Sequence, residues 1–97
     1  MRYTFEWDPR KAKENQRKHK VGFERAAEVF RDPLALSIFD EGHSEHEERW
    51  ITMGKDSHDS LLVLIHTFLE VTPKGWRIRI ISARKAKKEE SRQYEEI

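Results

Sequence analysis

The chain has 97 residues, 36% hydrophobic and 38% charged, which suits one domain (1–97) with a modest core and leaves no room for a separate substrate domain. It contains no cysteine, which excludes a disulfide framework and a thiolate metal site. The net charge of +1 conceals three blocks: nine Lys/Arg against five Asp/Glu in 1–31, two against nine in 32–73, and eight against four in 74–97. Separated charge of this kind predicts separate surfaces, one attracting a polyanion and one repelling it.

At the start of the chain Tyr3, Phe5 and Trp7 alternate with polar neighbours, the period of a half-buried strand over 2–7. Asp8-Pro9 supplies an N-cap and a first-turn proline, so a helix is expected over 10–19. That helix has few apolar residues and must turn a whole face to water or a ligand. A second helix is expected over 24–30, with Phe23, Ala26, Ala27 and Phe30 as its buried stripe. Strands follow over 34–39 and 47–53, separated by the Asp40-Glu41-Gly42 turn, and Gly54-Lys55-Asp56-Ser57 turns the chain again. The apolar stretch 61–71 reads as a central strand, far too short to span a bilayer. A short connection then predicts an antiparallel strand over 76–82, and a final helix from Ala83. The expected class is α+β: a short N-terminal strand, two helices, a four-stranded antiparallel sheet and a C-terminal helix. With no apolar leader at the N-terminus, the cytoplasm is the expected location and no membrane contact is expected.

Chemistry concentrates in three places. Arg77 and Arg79 share one face of the 76–82 strand, where two close positive charges call for an anion or carboxylates. Guanidinium groups bind phosphate bidentately and stay charged, as a phosphodiester transition state requires. Arg84, Lys85 and Lys88 continue the basic run, and the competing reading pairs the arginines with Glu47, Glu48 or Glu70. On the first helix, Lys11, Asn15, Lys18 and His19 fall on one face. There His19 reads either as a proton carrier for RNA transesterification or as a cation at a helix C-terminus. The acidic loop holds His43 and His46, spaced like metal ligands but on a solvated turn without a convergent third ligand. Glu48, beside Arg49, reads as a base or as counter-ion to the arginine pair.

Taken in order, several segments resemble the BrnT toxin family: Phe5-Glu6-Trp7-Asp8, Lys11, Asn15, Lys18-His19-Lys20-Val21-Gly22-Phe23, Asp32-Pro33, Glu48-Arg49-Trp50 with Gly54, and the run from Arg79 through Ala86 to Glu90 and Tyr94. The resemblance implies a RelE-like fold and metal-independent endoribonuclease activity that blocks translation and growth. It also implies neutralisation by a BrnA-like ribbon-helix-helix antitoxin, with operator DNA contacted only through that antitoxin. No cofactor is expected. The expected catalytic set is Arg79 and Arg84 on the phosphate, Glu48 as base, His19 as donor, and Tyr94 stacking or donating. Lys11, Lys18, Arg77, Lys85 and Lys88 would hold the RNA backbone. In one departure, the central strand reads His66-Thr67-Phe68-Leu69-Glu70 where similar chains carry arginine in place of Leu69. That substitution raises the alternative of an attenuated or inactive homologue that only binds antitoxin or nucleic acid. A third alternative is a metal hydrolase using His43 and His46.

Overall fold

The computed structural model describes residues 2–96. Its strands are β1 (Arg2–Glu6), β2 (Leu36–Phe39), β3 (Trp50–Lys55), β4 (Leu61–His66), β5 (Leu69–Thr72) and β6 (Gly75–Lys85). The helices are α1 (Pro9–His19), α2 (Phe23–Ala27) and α3 (Lys88–Glu95), with a 3-10 turn at Glu28–Arg31 directly after α2. The class is α+β as expected, but the sheet has six strands rather than four plus one. Its order is β1-β6-β4-β3-β2, and β5 also pairs with β6. All neighbours are antiparallel except β1, which lies parallel to β6 with Arg2 opposite Gly75 and Glu6 opposite Arg79.

The sheet has a helix-covered face and an open one. On the covered face Leu62, Leu64, Ile78, Ile80 and Ala83 pack against Val21, Phe23, Ala26 and Val29, with Phe5, Trp7 and Phe30 at the margin. Gly54 is needed here, because a Cβ at that position would lie 2.8 Å from Val29 Cγ1 and 3.0 Å from Ala35 Cβ. His66 is also buried on this side. Its Nδ1 lies 2.9 Å from Thr67 O and its Nε2 lies 2.6 Å from Thr52 Oγ1, which meets Ser37 Oγ at 2.7 Å. One proton arrangement satisfies the whole chain: Ser37 donates to Thr52, Thr52 donates to a neutral His66, and His66 Nδ1–H donates to Thr67 O. Burial holds the imidazole pKa below its ordinary value. The open face carries a second, smaller cluster in which Tyr94 of α3 packs with Met53 and Val63.

Asn15, expected on the basic face of α1, is instead buried. Its amide donates to Val21 O (3.0 Å) and Ala83 O (2.8 Å), and its Oδ1 accepts from Ala83 N–H (3.1 Å). Ala83 lies beyond the end of β1, on the free edge of β6, so the Asn15 side chain stands in for a missing strand.

Several boundaries differ from the expectations. The final helix does not begin at Ala83, because β6 runs on to Lys85 and pairs Ser82–Lys85 with β4, leaving Arg84 and Lys85 on a strand. The register steps from Ile65 opposite Ser82 to His66 opposite Ile80, which leaves Ile81 as an extra, bulged residue. That extra residue puts both Ile80 and Ala83 in the core and returns Arg84 to the face of Arg79. The 61–71 strand is broken at Thr67 and Phe68 into β4 and β5, and β3 starts at Trp50, leaving Glu47 and Glu48 in the preceding loop. Only Phe23–Ala27 of the second helix is α-helical. Leu34 and Ala35 belong to a turn held by Asp32, which accepts from Leu34 N–H at 2.9 Å. The 54–57 turn is displaced as well: β3 continues through Lys55, and Asp56 organises the bend by accepting from His58 and Ser60 N–H.

Candidate active site on the open sheet face

Cross-strand registers arrange the open face in rows. One row runs Leu36, Met53, Val63, Arg84, and the next runs Ile38, Ile51, Ile65, Ser82. α3 covers the first row and leaves the second half-exposed. One step further along the strands come Arg49, two residues before Ile51, and Arg79, in register with Glu6 of β1. Thr67 fixes Arg79: its N–H donates to Arg79 O (3.0 Å), and its hydroxyl accepts from Arg79 N–H (3.2 Å).

The side chains of Arg49 and Arg79 converge on one carboxylate, Glu47. Arg79 forms a salt bridge with Glu47 Oε1, and Arg49 Nε lies 3.5 Å from the same oxygen. The hydrogen bond from Arg79, with further help from Arg49, holds the Glu47 carboxyl below the ordinary range and keeps it ionised. Two guanidiniums against one carboxylate leave an excess positive charge. Arg49 Nε is also buried and makes no hydrogen bond, alone in this among the described side-chain nitrogens and oxygens. A guanidinium donor left without an acceptor is costly, and an incoming anion removes that cost. Chemically, the cluster can bind a phosphate on two arginines and displace or use the carboxylate between them.

The other expected residues are placed less centrally. Arg77 is exposed and reaches Glu6 at 4.0 Å. Arg84 lies four ladder steps from Arg79 along β6, about 13 Å at roughly 3.3 Å each. Its guanidinium grips Glu90 bidentately (2.8 and 2.9 Å), which raises the Arg84 pKa and lowers that of Glu90 to about 2. Glu90 also accepts from Lys87 N–H at 2.7 Å, so the pair fixes the start of α3 to β6. Tyr94 is buried, and its hydroxyl donates to Asp32 Oδ2 at 2.6 Å, a bond that pushes the phenol up to about 12. That hydroxyl is committed to the scaffold and is not presented to solvent for stacking or donation. Glu48 is exposed and forms no salt bridge with the described arginines; its neighbour Glu47 occupies that place. Lys11, Lys18 and His19 border a shallow cleft against Ile81 and Ser82, where the bulge meets α1. Lys85 and Lys88 are exposed at the end of β6 and the start of α3. His43 Nδ1 sits 3.1 Å from both oxygens of Asp40, and His46 is exposed.

Glu47 was among the carboxylates that the competing reading paired with the arginines, and it is the one Arg79 meets; Arg49 as the second guanidinium on it was passed over. The available signal was the alternation Arg49, Ile51, Met53, which puts Arg49 on the same face as the β6 arginines once the strand order is known.

A family model described as the ribonuclease toxin, BrnT, of type II toxin–antitoxin system matches residues 7–90. Among solved structures, the crystal structure of the Brucella abortus ribonuclease toxin, BrnT, is similar in fold, with a TM-score of 0.62 at 18% identity. The match covers 91% of this chain and 100% of that one. A comparison with curated protein sequences finds no match.

Proposed function

The chain belongs to the BrnT family of ribonuclease toxins of type II toxin–antitoxin systems, and on that basis we propose that it is a metal-independent endoribonuclease with its phosphate site at Arg49 and Arg79. The observation that carries this reading is the convergence of both guanidiniums on Glu47 across an uncovered part of the sheet. RNA supplies its own nucleophile, the ribose 2′-hydroxyl, so the protein has to position the strand, neutralise developing charge and move protons. The scissile phosphate replaces Glu47 on the two arginines. Glu47, held ionised, takes the 2′-hydroxyl proton. It is a better placed acceptor than Glu48, though a weak base while paired. From that row the strand crosses the bulge toward Lys11, Lys18 and His19, with His19 as the candidate donor to the leaving oxygen. Lys85 and Lys88 contribute long-range attraction. Arg84 acts through α3 rather than on the phosphate. The family also implies a protein antitoxin, here a BrnA-like ribbon-helix-helix protein through which operator DNA would be contacted, and a RelE-like fold.

The test is cleavage of an RNA oligonucleotide in EDTA by the wild type and by Arg49→Ala and Arg79→Ala. Each variant is expected to lose on the order of a hundredfold to a thousandfold in rate, the usual effect of removing one charge-stabilising donor. Wild-type rates in both variants would remove the cluster from the site, and loss of wild-type activity in EDTA would remove metal independence. One observation favours the alternative of an attenuated toxin. Leu69 is 58% exposed directly opposite Arg77, so the position that would add a further cation to this face carries an apolar side chain.

A further inference from the structure

β2 is the outermost strand at its end of the sheet and is hydrogen-bonded on one side only. Asp40 N–H donates inward to Arg49 O (2.8 Å), so by antiparallel alternation Leu36 and Ile38 also turn their peptide groups toward β3. Ser37 and Phe39 therefore present N–H and C=O groups outward, with no strand to receive them. The strand reads Leu-Ser-Ile-Phe; it is short, but it carries no lysine, no proline and no bulge. Leu34, Ile38 and Phe39 are all exposed, Ile38 by 62%. An unguarded edge with exposed large side chains is a pairing template, and in a soluble protein it signals a surface that another chain covers.

The surroundings select the occupant. After β2 the chain enters a loop in which Glu41, Glu45 and Glu48 are exposed, and no lysine or arginine occurs from 33 to 48. The loop is closed on itself, since Arg49 N–H donates to Ser44 Oγ (3.1 Å) and Ser44 Oγ–H donates to Asp40 O. The acidic rim is thus a fixed feature beside the edge. Nucleic acid is repelled there, and a second copy of the chain would bring its own acidic loop into the same interface. We propose that β2 is the docking edge for the protein antitoxin, which adds an extended segment of alternating apolar and Lys/Arg residues as a further strand. Backbone groups of Ser37 and Phe39 hold the segment. Its apolar side chains cover Ile38 on the open face, and its cations meet Glu41, Glu45 and Glu48. The proposal rests on the family reading, which supplies a protein antitoxin. β3 and β4 separate this edge from Arg79, so Ile38 can be changed without touching Arg79, whereas the acidic loop itself runs on into Glu47 and Arg49.

The experiment uses the full chain and, as probe, the purified protein encoded by the adjoining reading frame, with affinity measured calorimetrically at two salt concentrations. Wild type is expected to bind. Ile38→Lys, which places a charge on the edge, is expected to weaken binding at least thirtyfold, and Ile38→Glu less, because it repels no cation. Glu41→Lys with Glu45→Lys is expected to weaken binding about tenfold and flatten its salt dependence. Ile38→Thr, which keeps the β-branch, serves if the charged variants fail to fold. RNA cleavage should be unchanged in the Ile38 variants. Wild-type affinity in Ile38→Lys overturns the proposal, as do equal losses for lysine and glutamate with no salt dependence. A dimer of the isolated chain that Ile38→Lys dissociates, with antitoxin affinity intact, assigns the edge to a second copy instead. If the wild type cuts no RNA yet binds through Ile38, the ribonuclease reading fails and the docking edge stands. If it cuts RNA but does not bind the adjoining protein, the docking edge alone falls.

Discussion

Replacing Asn15 by alanine removes a side chain that satisfies three buried backbone groups at once: Val21 O, Ala83 O and Ala83 N–H. Each buried group left without a partner costs about 1–3 kcal/mol, and water reaching the exposed flank of α1 recovers part of the total, so the expected loss is about 3–5 kcal/mol. A domain of this size holds roughly 5–15 kcal/mol in all, so the variant should be folded but marginal. In urea, with an m-value of about 1.5 kcal/mol/M, the midpoint should fall by roughly 2–3 M. Asn15→Asp makes a sharper comparison. Its carboxylate still accepts from Ala83 N–H but faces two carbonyl oxygens, which raises its folded pKa above the unfolded value of about 3.9. Relative to wild type at each pH, the ionisation penalty should therefore be absent below that value and build as pH rises through the folded pKa. An alanine variant within about 1 kcal/mol of wild type would refute the idea that this amide closes the edge of β6.

Three further outcomes are expected. The Glu90 carboxyl is lowered from 4.5 to about 2 by Arg84, so its contribution is present above about 4.5 and lost as pH falls toward 2. After discounting for partial exposure, Glu90→Gln should cost about 1–2 kcal/mol at pH 7 and almost nothing near pH 2, read by denaturation at both pH values. Burial depresses the His66 pKa, so the unfolded chain takes up the proton first: its contribution is intact above about 6.5 and declines by up to roughly 1.4 kcal/mol per pH unit as pH falls below that value. His66→Gln should flatten the stability slope between about pH 6.5 and 5, and an unchanged slope would dissociate the slope from the imidazole. Leu69→Arg sets a second guanidinium opposite Arg77. It should raise RNA cleavage several-fold at low salt and steepen the salt dependence of RNA binding by about 0.7 in the log–log slope, the effect of one more phosphate contact on a single strand.

Local signals in the sequence were strong where local physics decides. The alternation of Tyr3 and Phe5 became a strand and the Asp8-Pro9 cap opened a helix, while the Phe23/Ala26 stripe is buried on a helix shorter than expected. Ala83 to Ala86 misled because Ala, Arg and Lys favour helices, whereas pairing with β4 holds Ala83–Lys85 extended; tertiary contact overrode propensity. The parallel placement of β1 leaves no local trace, since its partner lies more than sixty residues away. The site follows the same rule. That Arg79 needs an anionic neighbour was legible in its pairing with Arg77, but the choice of Glu47 over Glu48 depends on how the loop enters β3. Asn15 looked like one more polar residue on a basic helix face, because only the end of β1 exposes the peptide group that it serves.

The head-to-tail join of the sheet has a consequence for when this protein becomes itself. β1 is made more than sixty residues before its partner, Gly75–Arg79. On the ribosome β1 therefore waits unpaired until that stretch has emerged, and Arg79 takes its place against Glu47 only then. On the ribonuclease reading proposed above, the phosphate site is completed only when Arg79 reaches Glu47 and Arg49, so it comes into being with the making of β6.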